Sequence, residues 1–136
     1  MEELGRDGTI IGIHPEGTRN KEKDPYRLVR VTRGVGRVAL AVPHVPVIPI
    51  FVLGAGNDLL GEIGNNLFAR TPRPLWVVFG PPVDLSDLVP RAAEPAAWKE
   101  AARRCVTAIE ALGQEQRRLA GLGDPPEGAG AIVEDP

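Results

Sequence analysis

The sequence predicts a single α/β domain, and three observations carry that prediction. The 136 residues fit one domain with a sizeable core. Apolar residues make up 43% of the chain and aromatic residues only 4%, so the core should consist mainly of Val, Leu, Ile and Ala. Short apolar runs rich in β-branched residues alternate with stretches of helical spacing, which is typical of α/β proteins. No apolar run approaches the roughly 20 residues of a membrane-spanning helix.

Three elements are predicted in the first third of the chain. The β-branched run 9–13 indicates a strand that Pro15 and Gly17 bring to an end. A polar loop then covers residues 20–26. Residues 28–32 form either a short strand or the lead into a helix, which the spacing of small and apolar residues predicts over 34–42.

The remainder of the chain supplies two strands and the longest helix. Residues 45–53 are almost wholly apolar, which predicts a strand buried on both faces with an irregular, proline-containing start. Residues 59–68 are predicted as a short helical insertion, and 75–79 as a further strand. An apolar stripe predicts a helix over 95–119. The polar segment 120–136 is predicted to be a disordered tail after a domain that spans 1–119.

The turn at residues 14–19 is the strongest candidate site. Gly17 can take a positive φ angle and leaves room for a ligand, while Thr18 offers a hydroxyl. Arg19 presents a planar fork that suits a phosphate or carboxylate. Glu16 can hold that fork or accept a hydrogen bond from a substrate hydroxyl. The structural alternative is a Glu16–Arg19 pair that only closes a turn.

The same residues carry a family resemblance. The segment Pro15-Glu16-Gly17-Thr18-Arg19, followed by Val45-Pro46-Val47-Ile48-Pro49-Ile50, resembles the third and fourth sequence blocks of the glycerolipid acyltransferases, which include the 1-acylglycerol-3-phosphate acyltransferases. The resemblance covers about residues 4–88, with His14 where the family usually has an aromatic residue and Asn20 where it has Ser. It implies a three-layer sandwich with a central mixed sheet, here without its N-terminal elements.

The resemblance also implies an activity and roles for the matching residues. The reaction would move an acyl group from acyl-CoA or acyl-carrier protein to the hydroxyl of a glycerol phosphate or lysophospholipid, without a cofactor. Four residues would hold the acceptor's phosphate: Glu16, Gly17, Thr18 and Arg19. Four others would form an apolar wall near the acyl chain: Pro46, Val47, Ile48 and Pro49. Such a run also fits any buried strand.

The family's first block, His-x-x-x-x-Asp, supplies the general base and has no match here. Arg19 stands five residues after His14, and Pro49 five residues after His44. No catalytic residue is therefore predicted, and His14 is interpreted as a polar lining residue. We expect the chain to be the C-terminal part of an acyltransferase, truncated or inactive in isolation.

Charge is distributed unevenly along the chain. Residues 19–37 hold seven basic residues against two acidic ones, a local balance of +5 in a chain whose net charge is −2. This cluster predicts attraction to anionic lipid headgroups or to the phosphates of a thioester carrier, and no nucleic-acid partner; the alternative is a solvated face. With one cysteine, Cys105, interpreted as a structural thiol, a cytoplasmic protein peripherally associated with membranes is expected.

Two other functions stay open from the sequence. In the first, the chain is an anionic-lipid binding module without catalysis. Alternatively, Gly34-Val35-Gly36-Arg37-Val38-Ala39 fits the Gly-x-Gly-x-x-Ala form of a dinucleotide-binding fingerprint, with Asp58 as the ribose partner. No metal site is predicted, because the chain has neither paired histidines nor a cysteine cluster.

Overall fold

The computed structural model describes residues 8, 10–17, 24–26, 28, 30–54, 74–123 and 133–134, with the backbone alone at 30, 133 and 134. These residues form a mixed α/β structure. Its regular elements are β1 (Arg30–Val31), α1 (Arg33–Ala41), β2 (Ile50–Leu53), β3 (Trp76–Phe79), α2 (Pro95–Leu119) and β4 (Val133–Glu134), with a 3₁₀ turn at Val89–Arg91. Neither helix in the described ranges is long and apolar enough to cross a bilayer.

The core lies where α1 packs against the first half of α2. Small residues allow a close approach of the two backbones, since a Cβ atom at Gly36 would contact the Trp98 carbonyl and lie 2.8 Å from the Ala102 nitrogen. Leu40, Ala101 and Val106 are almost completely buried in this contact. Glycine at position 36 is therefore a packing requirement of the helix pair.

The segment that precedes α2 closes the same core. Leu85 and Leu88 are buried in it. Arg104 of α2 holds the segment in place through Asp87, with its Nη1 and Nη2 atoms 2.6 and 2.8 Å from the carboxylate oxygens. The Trp98 indole donates a hydrogen bond of 2.6 Å to the Ala92 carbonyl.

β2 and β3 form an antiparallel ribbon against the second half of α2. In their register, Ile50 lies opposite Phe79 and Phe51 opposite Val78. Only one face of the ribbon is covered: Phe51 is buried, and a Cβ atom at Gly113 of α2 would lie 2.9 Å from its ring. Phe51 of the covered face thus packs directly on α2.

Four predicted elements agree with the structure. The helix expected over 34–42 is α1, and the one expected over 95–119 is α2 with the same bounds. The strand expected over 75–79 is β3. Of the two possibilities for 28–32, β1 supplies a two-residue strand that leads directly into α1.

Two predictions about strands were wrong. Of the strand expected over 9–13, residues 10–13 are described and form no strand, and Ile10 and Ile13 are exposed. No strand in the described ranges lies alongside to provide hydrogen bonds. The strand expected over 45–53 is limited to Ile50–Leu53 because Pro46 and Pro49 lack amide hydrogens. It is buried on one face only, since Ile50 and Val52 are exposed.

Further predictions concern the C-terminal tail and the insertion between β2 and β3. Val133–Glu134, within the segment expected to be disordered, pair in parallel with β1. The insertion expected over 59–68 lies outside the described residues. The division into a domain over 1–119 and a tail over 120–136 stays a prediction.

Candidate functional site

The predicted site begins with a tight turn at residues 14–17. The Gly17 amide donates a hydrogen bond of 3.1 Å to the His14 carbonyl. Gly17 has a φ angle of +64°, in the left-handed region where glycine is favoured. A Cβ atom there would lie 3.7 Å from Thr32 Cγ2, an ordinary contact. The backbone angle, and not lack of space, is what requires glycine here.

Thr32 holds this turn against the start of α1. Its amide and its hydroxyl both donate to the Pro15 carbonyl, at 3.1 and 3.2 Å. Thr32 is also the N-cap residue of α1, with extended backbone angles and no side-chain bond to its own helix. The Glu16-Gly17 turn and the first turn of the helix are therefore neighbours.

The start of α1 is an electropositive environment. The first amides of a helix have no carbonyl partner four residues earlier in the same helix, and they carry the positive end of the helix dipole. At α1 the Val35 amide donates instead to the Thr32 carbonyl at 3.3 Å. The first turn of α1 contains Arg33 and no acidic residue. Glu16, half-buried, and Gly17 lie beside this helix start, whereas Thr18 and Arg19 lie outside the described residues.

Residues 24–26 form a second anchor. They follow the candidate loop, which is the predicted phosphate site at residues 16–19. The Tyr26 hydroxyl donates a hydrogen bond of 2.7 Å to Gln116 Oε1, and its ring stacks on Phe51 with centroids 5.8 Å apart. The guanidinium of Arg117 lies 5.1 Å from the Tyr26 ring centroid and 3.5 Å from the Asp24 carboxylate. The chain is thus fixed at both ends of residues 18–23.

The four residues predicted to form an acyl wall are not brought together. Pro46 and Val47 line a cleft of about 290 Å³ between the end of α1 and the segment before α2. Pro49 is buried, and its carbonyl accepts a hydrogen bond from the Gly80 amide. Ile48 is 42% exposed and does not line the cleft.

The cleft has an apolar floor and a polar rim. Leu40 and Leu85 at its base are buried, and the exposed side chains of His44, Asp84 and Ser86 stand at its edge. Its contact with Leu40 places it at the far end of α1 from the Glu16-Gly17 turn. Nine residues of helix at about 1.5 Å per residue separate the two ends by about 13 Å.

The structure argues against the dinucleotide-binding interpretation. In that fingerprint the first glycine forms the turn between strand and helix, and the second lets the backbone approach a pyrophosphate. Here Gly34 and Gly36 both lie inside α1, and Gly36 is covered by α2. Asp58, its expected ribose partner, lies outside the described residues.

Among the described residues, the two histidines and the cysteine do not come together as a catalytic group. His14 and His44 are both exposed, at opposite ends of α1. Cys105 is buried in the helix contact, which raises the pKa of its thiol and keeps it protonated. Within the described ranges no cluster of side chains could hold a metal ion.

Two residues that position this site, Thr32 and Tyr26, are not predicted by the sequence pattern. The pattern indicates only a lead segment at 28–32 and a polar loop at 20–26. The chain has one tyrosine, and a single aromatic residue among charged ones was the signal that the loop has a buried anchor. The sequence contains no such signal for its partner Gln116, because glutamine on a helix is usually exposed.

Comparison with known proteins agrees with the resemblance found in the sequence. A family model described as Acyltransferase matches residues 1–53. The matched stretch contains the candidate loop, α1 and the Pro46–Pro49 block, so the resemblance to the acyltransferases is confirmed over these residues. No curated protein and no solved structure matches the chain.

Proposed function

We propose that this chain is an acyltransferase-type domain whose residues 16–19 bind the phosphate of an acyl acceptor. The acyl group would come from acyl-CoA or acyl-carrier protein and pass to the hydroxyl of a glycerol phosphate or lysophospholipid. One observation carries the proposal. The Glu16-Gly17 turn lies against the start of α1, held there by Thr32, within the stretch that matches the Acyltransferase family model.

The chemistry of this location supports phosphate binding. The start of a helix and the positive end of its dipole favour an anion. Arg33 adds positive charge at the first position of the helix. In the proposal, Thr18 and Arg19 complete the site: the Arg19 fork holds two phosphate oxygens and Glu16 orients that fork.

The apolar cleft supports a place for the acyl chain. Its walls are aliphatic, it has a polar rim, and it contains Pro46 and Val47 of the predicted acyl wall. The distance of about 13 Å along α1 leaves room for a glycerol backbone between the phosphate and the chain. In this proposal Ile48 and Pro49 do not touch the acyl chain.

The proposal assigns binding, and not proton transfer, to the residues described. Neither His14 nor His44 is given the role of general base, because no Asp follows either one at the family's spacing. The three-layer sandwich with a central mixed sheet is part of the same proposal. So is a cytoplasmic location at a membrane surface, where an acyl acceptor with a lipid tail would be met.

The proposal is tested by calorimetric titration with glycerol 3-phosphate and with glycerol. We expect the phosphate compound alone to bind, and Arg19→Ala to weaken its binding at least about tenfold, the loss of a charge-assisted bidentate contact. Arg118→Ala is the matched control, because Arg118 is exposed at the end of α2. Equal binding by both variants would refute the role of Arg19.

A lipid-headgroup binding module without catalysis is the second candidate. The observation in its favour is the +5 charge balance of residues 19–37, which attracts anionic surfaces regardless of any reaction. Sedimentation with vesicles separates the two. If the chain is a binding module, it should pellet with phosphatidate vesicles, and Arg19→Ala should reduce that pelleting. The module should bind lipids with and without a free hydroxyl equally well.

A further inference from the structure

Arg37 of α1 differs from the arginines of α2 in what holds its charge. Each arginine of α2 and of the segment before it forms an ion pair with a carboxylate: Arg91, Arg103, Arg104, Arg117 and Arg118. Arg37 is exposed, and no carboxylate pairs with it among the residues that the structure describes. Its guanidinium lies over the Trp98 ring, 5.3 Å from the ring centroid. Arg37 therefore carries a positive charge that its described surroundings do not neutralise.

Trp98 holds this charge in place. Its indole donates a hydrogen bond of 2.6 Å to the Ala92 carbonyl, and the side chain packs against the buried core between α1 and α2. An aromatic ring attracts a cation through its π face, without occupying the N–H groups as a carboxylate would. Arg37 is thus positioned by a ring while the N–H groups of its fork remain open to a ligand.

The sequence around Arg37 favours an anion as that ligand. Residues 25–57 contain no Asp or Glu, and they contain four arginines: Arg27, Arg30, Arg33 and Arg37. Arg33 stands one turn before Arg37 on α1, and side chains four residues apart on a helix are neighbours. An anion beside Arg37 would therefore meet an attractive field, with no carboxylate of the same stretch to repel it.

The pair of Arg37 and Trp98 lies apart from the proposed acceptor site. Thr32 holds the Glu16-Gly17 turn, and Arg37 follows Thr32 by a rise of about 7 Å along α1. Neither Arg37 nor Trp98 lines the apolar cleft. A layer of the proposed sandwich laid over the pair would bury an unpaired charge, which is unfavourable. We therefore expect the pair to face solvent in that fold, where an anionic group can reach it.

We propose that Arg37, positioned by Trp98, binds a second phosphate group, separate from the phosphate of the acyl acceptor. This inference rests on the proposed function, which assigns the first phosphate to the start of α1. The planar fork of an arginine binds two oxygens of one phosphate. The proposed reaction offers two sources of such a group, the thioester donor and a lipid headgroup next to the acceptor, and both present it as a phosphate ester.

Titrations of the full chain in saturating glycerol 3-phosphate test the proposal. Coenzyme A, added in a calorimeter, is the probe for the donor. Phosphatidate vesicles, compared with phosphatidylcholine vesicles in sedimentation, are the probe for a headgroup. We expect one of the probes to bind, and Arg37→Ala to weaken its binding about tenfold through loss of a charge-assisted contact. Arg118→Ala is the matched control, because Arg118 is exposed and pairs with Glu115, and it should bind like the wild type.

Variants of both residues separate recognition from packing. Arg37→Lys keeps the charge but loses the planar fork, so it should weaken binding about threefold. Trp98→Phe keeps a ring beneath the guanidinium and should retain binding of the same probe. Trp98→Leu removes the ring and should weaken that binding several-fold. A loss that is equal for phenylalanine and leucine would contradict the positioning role of the ring.

The probe whose binding depends on Arg37 identifies the source of the phosphate. Dependence with coenzyme A assigns the group to the donor, and dependence with phosphatidate vesicles alone assigns it to lipid. Equal binding by the wild type and Arg37→Ala, or binding of neither probe, would overturn the proposal even where glycerol 3-phosphate binds, because Arg37 would then only cover Trp98. Binding of a probe through Arg37 without any binding of glycerol 3-phosphate would refute the acceptor site and support Arg37 as a phosphate-binding residue.

Discussion

Thr32 donates two hydrogen bonds to the carbonyl oxygen of Pro15, one from its amide at 3.1 Å and one from its hydroxyl at 3.2 Å. Because Thr32 is also the N-cap residue of α1, one residue sets both the position of the candidate loop and the start of the helix. A phosphate held by the loop would thereby meet the helix amides. The proposed binding site depends on this connection between a turn and a helix 17 residues apart along the chain.

Removal of the Thr32 hydroxyl should loosen the loop. Thr32→Val keeps the branched shape and the hydrogen bond from the amide but loses the hydrogen bond from Oγ1. We therefore expect the free energy of unfolding to fall by about 1 kcal/mol. Glycerol 3-phosphate should bind several-fold more weakly. Urea denaturation and calorimetry measure the two effects. Thr107→Val, at an exposed site on α2, should alter neither, and an equal effect of both variants would contradict the role of Thr32.

The two glycines of α1 should respond in opposite directions to alanine. Gly36→Ala would force a Cβ atom to within 2.8 Å of the Ala102 nitrogen, and we expect a loss of about 2–3 kcal/mol in the free energy of unfolding. Gly34→Ala meets nothing closer than Thr32 Oγ1 at 3.9 Å and should stabilise the helix by about 0.5 kcal/mol. Chemical denaturation compares them. Tolerance of alanine at position 36 would refute the close helix contact.

The Tyr26 hydroxyl should contribute more than an ordinary surface hydrogen bond. Tyr26→Phe preserves the stack on Phe51 but leaves the amide oxygen of Gln116, which is 5% exposed, without its partner. The expected cost is about 1–2 kcal/mol in the free energy of unfolding. Addition of Gln116→Leu to Tyr26→Phe should restore part of that loss, because neither polar group then remains buried. A further loss in the double variant would contradict this account.

Glu100 should make the fold acid-sensitive. Hydrogen bonds from Arg103, and then from Arg104, lower its pKa from 4.5 to about 2. A carboxylate with a lowered pKa stabilises the folded state fully above its unfolded pKa. That contribution is lost as the pH falls from about 4.5 towards 2. In thermal unfolding, Glu100→Gln should be less stable than the wild type at neutral pH, with a difference that shrinks over this interval.

Glu110 is the contrasting control for that measurement. Burial raises the pKa of its carboxyl, so its charged form opposes folding at neutral pH. Glu110→Gln should therefore be at least as stable as the wild type at neutral pH and lose that advantage on acidification. A parallel response of the two variants would show that the acid sensitivity does not come from the ion pairs of Glu100.

The sequence predicted elements whose pattern is local and missed features that depend on distant partners. The apolar stripe on α2 depends only on spacing within that helix, so the bounds of the helix could be predicted from the sequence. A strand needs a neighbouring strand, and residues 10–13 have the composition of a strand but no strand beside them in the described ranges. The prediction that both faces of β2 are buried failed for the same reason, because composition does not reveal how many layers cover a sheet.

The candidate site shows the same division. The turn at Gly17 and its positive φ angle could be predicted, because proline and glycine act on their own backbone angles. The anchor of this turn at Thr32 could not be predicted, because the sequence does not indicate which carbonyl a threonine hydroxyl donates to. Of the four residues predicted to form an acyl wall, Pro46 and Val47 line the cleft and Ile48 does not, and their role towards an acyl chain stays a prediction.

The central claim is that a phosphate binds between the Glu16-Gly17 turn and the start of α1. Heteronuclear NMR during titration with glycerol 3-phosphate tests it most directly, because each amide reports separately. We predict that the amides of Gly17, Arg33 and Gly34 shift together and saturate, whereas Ala96 and Ala97 at the start of α2 do not. Shifts confined to the start of α2, or shared equally by both helix starts, would contradict the claim.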